Sequence, residues 1–388
     1  MAKGISVNPS VIRWAIHASG KSVENISEKF SKIREWSTIE SKLSVTDLNK
    51  LSKELRIPFG YFILETPPKE DIKLLKYRTI NNLENENPSR ELVDTIRSME
   101  KRQNFMKEVL VEDGFSPLPF VGCKTLEDDF RKVSKDIIEK LNLEKGWNKK
   151  NKDTFNILRE AVSNIGVILM QNGIAGNNTH RSLDVSEFRA FVLIDKYAPL
   201  IFLNSKDSEN GKIFSVCHEL VHIWLGLDEL YNDRFKRDQE FENAELERFC
   251  NRVSAEMLLP LDLLVNIFDH NLTPYENLKN ISDKFNVSDL VVCIKMKQEE
   301  LISPKIFNEL YPLLLEEINE NMLKEEKKSK KSGGDYYRTQ GSRMDINFVR
   351  SVDRRAKEGK ILYTEAYELL GAKGNTYDKL VRHMEGGQ

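Results

Sequence analysis

Two histidines four residues apart, His218 and His222, enclose Glu219 in a stretch that is otherwise almost wholly apolar. On a helix the two imidazoles share one face and can reach a single cation. Glu219 lies beside that face, where it can act on a water molecule instead of binding the metal. Burying three polar groups here would be costly unless they were paired, and zinc pairs them well. The spacing therefore predicts a hydrolytic zinc site, the alternative being two satisfied core histidines.

A third ligand is needed, because a zinc hydrolase normally has three protein ligands and one position for water. Downstream, residues 243–260 are predicted to form a helix that ends at a proline. Small residues follow Glu247 on one face of this helix, namely Cys250, Asn251 and Ser254. They would let the helix approach the histidine helix closely. Glu247 is therefore the preferred ligand, with Glu245 and Glu242 as alternatives.

Such a site would hydrolyse a peptide bond. Zinc lowers the pKa of its water to about 7 and polarises the scissile carbonyl. Glu219 would take the proton of the water and deliver it to the leaving amine. A donor for the oxyanion is also required. Three upstream residues are candidates for substrate or transition-state contacts, and each could equally be structural: His180, Arg189 and Tyr197.

A small sheet is predicted immediately before the histidine helix. Runs of β-type residues occur at 166–170, 188–194 and 200–203, and a loop rich in Gly, Asn and Ser covers 173–183. An edge of this sheet lying over the metal would let a peptide substrate add as an extended strand.

Composition limits the function classes. The 388 residues carry a formal charge of -2, so the whole chain is no polycation and any nucleic-acid surface must be local. No stretch is long and apolar enough to span a bilayer, which predicts a cytoplasmic protein without a membrane partner. The four cysteines form no CxxC pair, which argues against a disulfide framework or a Cys-rich zinc site. Cys217 and Cys250 lie near the proposed metal and could be sensitive to oxidation.

The predicted fold class is α+β, mainly α, with a zincin-like domain between helical units. The N-terminal unit is predicted to contain helices at 9–18, 23–30, 33–40 and 45–55, with Ser22 and Ser44 as N-caps. The predicted domains are a helix-turn-helix-like bundle (1–66), a helical connector (67–150), a metallopeptidase core (151–262), a helical subdomain (263–328), and a linker with a C-terminal helical module (329–388).

The chain resembles the ImmA/IrrE zinc metallopeptidases that are fused to an Xre-like helix-turn-helix domain. The likeness is carried by Gln171–Arg181 with Glu187–Arg189 and Phe202–Asn204, by the HELVHIWLG run from His218, and by Glu247–Pro260. It extends to the N-terminal helices and the C-terminal module. The resemblance also gives Glu247 the position of the third ligand. Departures from the family pattern are Val221, Cys250, Val253 and Ser254. The turn at 30–32 lacks the glycine usual in helix-turn-helix proteins.

The resemblance implies a regulatory protease that makes a limited cut in a transcriptional repressor, as in mobile elements, stress responses or toxin–antitoxin loci. A second hypothesis is a DNA-binding regulator or antitoxin-like protein that uses the metallopeptidase fold as a sensor or docking platform for a cognate partner protein. Residues 1–64, with ten basic and six acidic side chains, would be the surface for DNA.

Overall fold

The computed structural model describes residues 4–68, 77–78, 88–150, 153–226, 239–328 and 336–386. Side chains are described for 4–68, 88–150, 153–226, 245–317 and 339–386. In the part of the chain that the structure describes, helices predominate and there are two small sheets, which confirms the predicted α+β class. Within the described residues, no helix is long and apolar enough to cross a membrane.

The N-terminal unit combines short helices with a strand pair. Its elements are β1 (Ile5–Val7), α1 (Pro9–Ala18), α2 (Val23–Ser27), α3 (Ile33–Trp36), β2 (Ser41–Leu43), α4 (Val45–Leu55) and a 3-10 helix (Phe59–Ile63). Ser22 and Ser44 cap α2 and α4 as predicted, each accepting a hydrogen bond from a backbone N–H of the first turn. Two predictions were wrong in extent, because α2 and α3 end before residues 30 and 40. The antiparallel pair of β1 and β2 was not predicted, since three-residue strands carry almost no periodic signal.

The second sheet contains four strands in the order β3-β5-β6-β4. They are β3 (Tyr77–Arg78), β4 (Ile168–Asn172), β5 (Ala190–Leu193) and β6 (Leu200–Asn204). β4 pairs with β6 in parallel, and the other pairs are antiparallel. Three of these strands were predicted. β3 falls within the segment predicted as a helical connector, so that segment also contributes to the sheet.

Helices cover both faces of this sheet and extend beyond it. They are α5 (Arg90–Glu112), α6 (Phe130–Lys140), α7 (Thr154–Asn164), α8 (Glu209–Leu225), α9 (Gln239–Leu258), α10 (Leu261–Ile267), α11 (Pro274–Lys284), α12 (Asp289–Gln298), α13 (Pro304–Lys328), α14 (Tyr336–Arg343), α15 (Ile346–Lys357), α16 (Tyr363–Leu370) and α17 (Asn375–Glu385). The predicted linker falls partly at 329–335, outside the described residues.

Alternate residues of β6 face two different hydrophobic cores. Ile201 and Leu203 pack in a core with residues of α6 to α9, whereas Leu200 and Phe202 pack in a core with α5 and the C-terminal helices. This alternation follows from the two-residue period of a strand. In the second core, Phe105 of α5 meets Phe348 of α15 edge to face, with ring centroids 6.1 Å apart. The C-terminal helices therefore share a core with the sheet.

Candidate metal centre

Helix α8 carries both histidines and is enclosed along most of its length. The Ser208 side chain caps its start by accepting a hydrogen bond from the backbone N–H of Gly211. Every residue from Ile213 to Leu225 is buried. Gly226 ends the helix with φ +60°, and its N–H donates to the carbonyl of His222. The apolar stretch around the two histidines is therefore a buried helix, and the glycine that follows it in the sequence ends it.

The segment at 118–124 holds the C-terminal end of α8. Its backbone N–H groups at Gly122 and Lys124 donate to the carbonyls of Ile223 and Trp224, each at 3.0 Å. These bonds satisfy carbonyls that a helix end leaves without an intrahelical partner. The Trp224 indole stacks on Phe120, with centroids 4.5 Å apart. The last turn of α8, which contains His222, is therefore fixed by a segment nearly 100 residues away in the chain.

Helix α9 lies against α8 and brings Glu247 to the histidines. One carboxylate oxygen of Glu247 is 3.2 Å from Nε2 of His218, and the other is 3.5 Å from Nε2 of His222. Close approach is possible because Cys250 and Ser254 are small and completely buried. The alternative ligand Glu245 is exposed, and the side chain of Glu242 lies outside the described residues.

The three donor groups have a spacing that suits one metal ion. The Nε2 atoms of His218 and His222 are 3.2 Å apart, and each lies 3.2 or 3.5 Å from a different oxygen of the Glu247 carboxylate. Ligands about 2.0 Å from a tetrahedral zinc are separated by about 3.3 Å. The donors are also of the types that zinc binds, imidazole and carboxylate. Residues and distances therefore fit a zinc ion.

Burial and neighbouring charges shift the pKa values of Glu247 and His222. Burial of the Glu247 carboxyl opposes its ionisation, but contacts with His218 and His222 outweigh burial and hold its pKa well below the ordinary value. Burial also opposes protonation of His222, but neighbouring Cys250 and Glu247 outweigh it and raise the pKa well above the ordinary value. The cluster therefore attracts positive charge, either protons or a metal. A metal would replace the imidazole protons, because ligating imidazoles are neutral.

Cys250 belongs to the same cluster. Its thiol and the ring nitrogens of His218 and His222 lie within 4.8 Å of one another. Sequence reasoning treated Cys250 as a small buried residue near the metal and did not count it among the ligands. Its spacing of three residues from Glu247 was the available signal, because residues three apart on a helix are neighbours.

Glu219 is buried beside His218, with 1% of its surface exposed. Carboxylates are rarely so buried. The three residues predicted to contact substrate have different surroundings. His180 is exposed in the loop after β4, the Arg189 guanidinium pairs with Asp207 at 3.5 Å, and Tyr197 lies in the turn between β5 and β6. Their role in substrate binding stays a prediction.

Comparison with known families agrees with this placement. Residues 169–297 match the IrrE N-terminal-like domain, which is a peptidase family, and they include β4 to β6, α8 and α9. Residues 344–383 match a domain of unknown function, DUF8813. No curated protein and no solved structure gives a significant match to the chain. A metallopeptidase-like function is supported for the central region, whereas no helix-turn-helix family matches the N-terminal unit.

Proposed function

We propose that the protein is a zinc-dependent endopeptidase that makes limited cuts in a regulatory protein such as a transcriptional repressor. The observation that carries this proposal is the convergence of His218, His222 and Glu247 next to the buried carboxylate of Glu219. This arrangement lies inside the region that matches a peptidase family.

In the proposed mechanism, His218, His222 and Glu247 would hold the zinc. When bound, the zinc supplies a Lewis acid that polarises the scissile carbonyl and lowers the pKa of water. Glu219 takes the proton from the attacking water and transfers it to the leaving amine. The closed surroundings of α8 keep bulk water from its inner side, so a carboxylate here interacts strongly with nearby protons.

An extended protein segment is the substrate shape that the sheet favours. β3 pairs with β5 in an antiparallel ladder, with Tyr77 opposite Phe191 and Arg78 opposite Ala190. The edge of β5 thus accepts an extended segment of this same chain. The outer strands of this sheet are β3 and β4, so a polypeptide substrate could add to one of them as an extended strand, which supports a polypeptide over a small amide.

The N-terminal unit is proposed to select the target. Its α2 and α3 have five and four residues, about one helical turn each. A recognition helix lies in the major groove and contacts base edges there, and helices of about one turn offer few residues for such contacts. We therefore propose a protein target in preference to DNA. A gel-shift titration with salt would detect DNA binding, since phosphate contacts weaken steeply as salt increases.

The deciding experiment compares the wild type with Glu219→Gln. Candidate repressors and co-purifying proteins are incubated with each zinc-loaded protein, and products are identified by intact mass. Glu209→Gln is a matched control, because Glu209 lies on the same helix with an exposed side chain. We expect equal zinc content in all three proteins and cleavage lost only in Glu219→Gln. Undiminished cleavage by Glu219→Gln would exclude the proposed mechanism. Undiminished biological function of a cleavage-deficient Glu219→Gln would favour the docking-platform hypothesis.

A further inference from the structure

The thiol of Cys250 lies beside the three proposed metal ligands and has no role in the hydrolytic mechanism described above. Cys250 follows Glu247 by three residues on α9, so both side chains lie on the face that meets α8. The side chain is completely buried. Its sulfur is within 4.8 Å of ring nitrogens of both His218 and His222. The thiol thus shares a cluster with the two imidazoles that also contact Glu247.

The other buried cysteines provide a comparison. Cys217 and Cys293 are also buried thiols in the same hydrophobic core. Among the described residues, Cys250 is the cysteine that joins a cluster of potential metal donors. A buried cysteine is ordinarily a small hydrophobic residue among apolar neighbours. The polar surroundings distinguish Cys250 from that ordinary case.

Four donors change the chemistry of the site. Structural zinc sites have four protein ligands, whereas catalytic sites retain a position for water. Two imidazoles, one carboxylate and one thiolate form a complete tetrahedral set. We propose that Cys250 is a fourth protein ligand, that the resting site is closed, and that catalysis requires release of its sulfur from the metal. This proposal rests on the proposed function and assigns a regulation to that site.

The ligation step is balanced without another reactant. The metal–sulfur bond forms as the S–H bond breaks, and the proton passes to solvent. No electron is transferred. Release is the reverse, with the sulfur regaining a proton. Because Cys250 and Glu247 share α9, release requires the Cys250 side chain to move away from the metal while Glu247 and the two histidines stay in place.

Metal spectroscopy on the full-length chain tests this inference directly. Zinc-loaded wild type is examined by X-ray absorption, and a parallel sample is loaded with Co2+ as a spectroscopic probe. We expect one sulfur scatterer at about 2.3 Å in the wild type, and nitrogen or oxygen scatterers only, at about 2.0–2.1 Å, in Cys250→Ala. The cobalt protein should show a sulfur-to-cobalt charge-transfer band that Cys250→Ala lacks. Cys293→Ala is the control and should keep both signals.

Zinc affinity and proteolysis complete the test. Removing the ligand should weaken zinc binding at least about tenfold, the lower range found for losing even an outer-shell partner. Cleavage at saturating zinc should increase in Cys250→Ala, since a position for water is then open. Cys250→Ser preserves side-chain size and replaces Cys250→Ala if that variant does not fold.

The outcomes separate this inference from the proposed function. Zinc bound by the wild type with only nitrogen and oxygen scatterers would overturn the role of Cys250, whether or not the protein cleaves a substrate. A sulfur ligand together with no cleavage by either protein would support the ligand and count against the peptidase. A chain that binds neither zinc nor cobalt would overturn both.

Discussion

Replacing Gly226 by alanine should test whether the end of α8 is fixed as tightly as the structure indicates. Gly226 has φ +60°, a conformation that L residues rarely adopt. A Cβ at this position would lie 2.5 Å from the Cα of Gly122. Real Cβ atoms do not approach backbone atoms so closely, so one of the two backbones must move. Because Gly226 donates to the carbonyl of His222, the movement affects a residue of the metal cluster.

The expected cost has two parts. The left-handed conformation disfavours alanine by about 1–2 kcal/mol. Overlap with Gly122 adds about 1–3 kcal/mol, the usual cost of overpacking a well-packed region. The control is Gly114→Ala at the end of α5. Gly114 has φ +78°, and a Cβ there would meet no atom within 4 Å. The control should therefore show only the first part.

The assay is denaturant unfolding of both variants, with the free energy extrapolated to water. Zinc affinity is measured in parallel by competition with a chelator. We expect Gly226→Ala to lose at least about 1 kcal/mol more than Gly114→Ala, because only Gly226 also overlaps a backbone. We expect weaker zinc binding in Gly226→Ala alone. Equal unfolding free energies and equal zinc affinities in the two variants would refute the proposed packing of 118–124 against α8.

Three further outcomes are expected. Lys295→Met should destabilise the protein by about 3–5 kcal/mol in denaturant unfolding. Lys295 is completely buried, and its loss leaves the Glu256 carboxylate without its cation. The control Lys297→Met, at an exposed position of the same helix, should change stability little. Hydrogen bonds from Lys21 and Lys29 hold the pKa of the Glu54 carboxyl below its usual 4.5. These contacts therefore stabilise the folded protein fully above pH 4.5, and their contribution is lost as the pH falls through the lowered pKa. Glu54→Gln should therefore cost about 0.5 kcal/mol at pH 7 and nothing in strong acid, measured as unfolding free energy against pH. Removal of zinc by a chelator should lower the melting temperature of the protein, because zinc at 1,000 times its dissociation constant stabilises a fold by about 4 kcal/mol. An unchanged melting temperature would argue against a metal bound between α8 and α9.

Local patterns in the sequence were sufficient to predict α8. Its end is marked by Gly226, and its interior by an apolar run that only a helix buried on all sides would tolerate. The face of α9 could also be predicted, because helical spacing alone puts Glu247 on the side of the small residues. These predictions depend on interactions within one helix or between two helices close in sequence.

Contacts between distant segments could not be predicted in the same way. Nothing in the sequence of 118–124 indicates that its N–H groups complete the end of α8, since any loop has such groups. The apolar run of β6 predicts a strand buried on both faces, but it does not identify α5 and the C-terminal helices as the cover of one face. The lengths of α2 and α3 were overestimated, because the residues that follow each helix continue its sequence pattern although they are not helical in the structure.

We expect any control of the proposed metal site to act through α9 more than through α8. The side chains of His218 and His222 are 2% and 4% exposed, whereas that of Glu247 is 26% exposed. α8 is enclosed on every side, so moving it would disrupt packing along its whole length. α9 is held toward its end by the Lys295–Glu256 ion pair and by the Arg252 guanidinium, which lies 4.1 Å from the centre of the Phe130 ring. Glu247 precedes both anchors and is the more exposed donor, so a bound protein would reach the site at this carboxylate first.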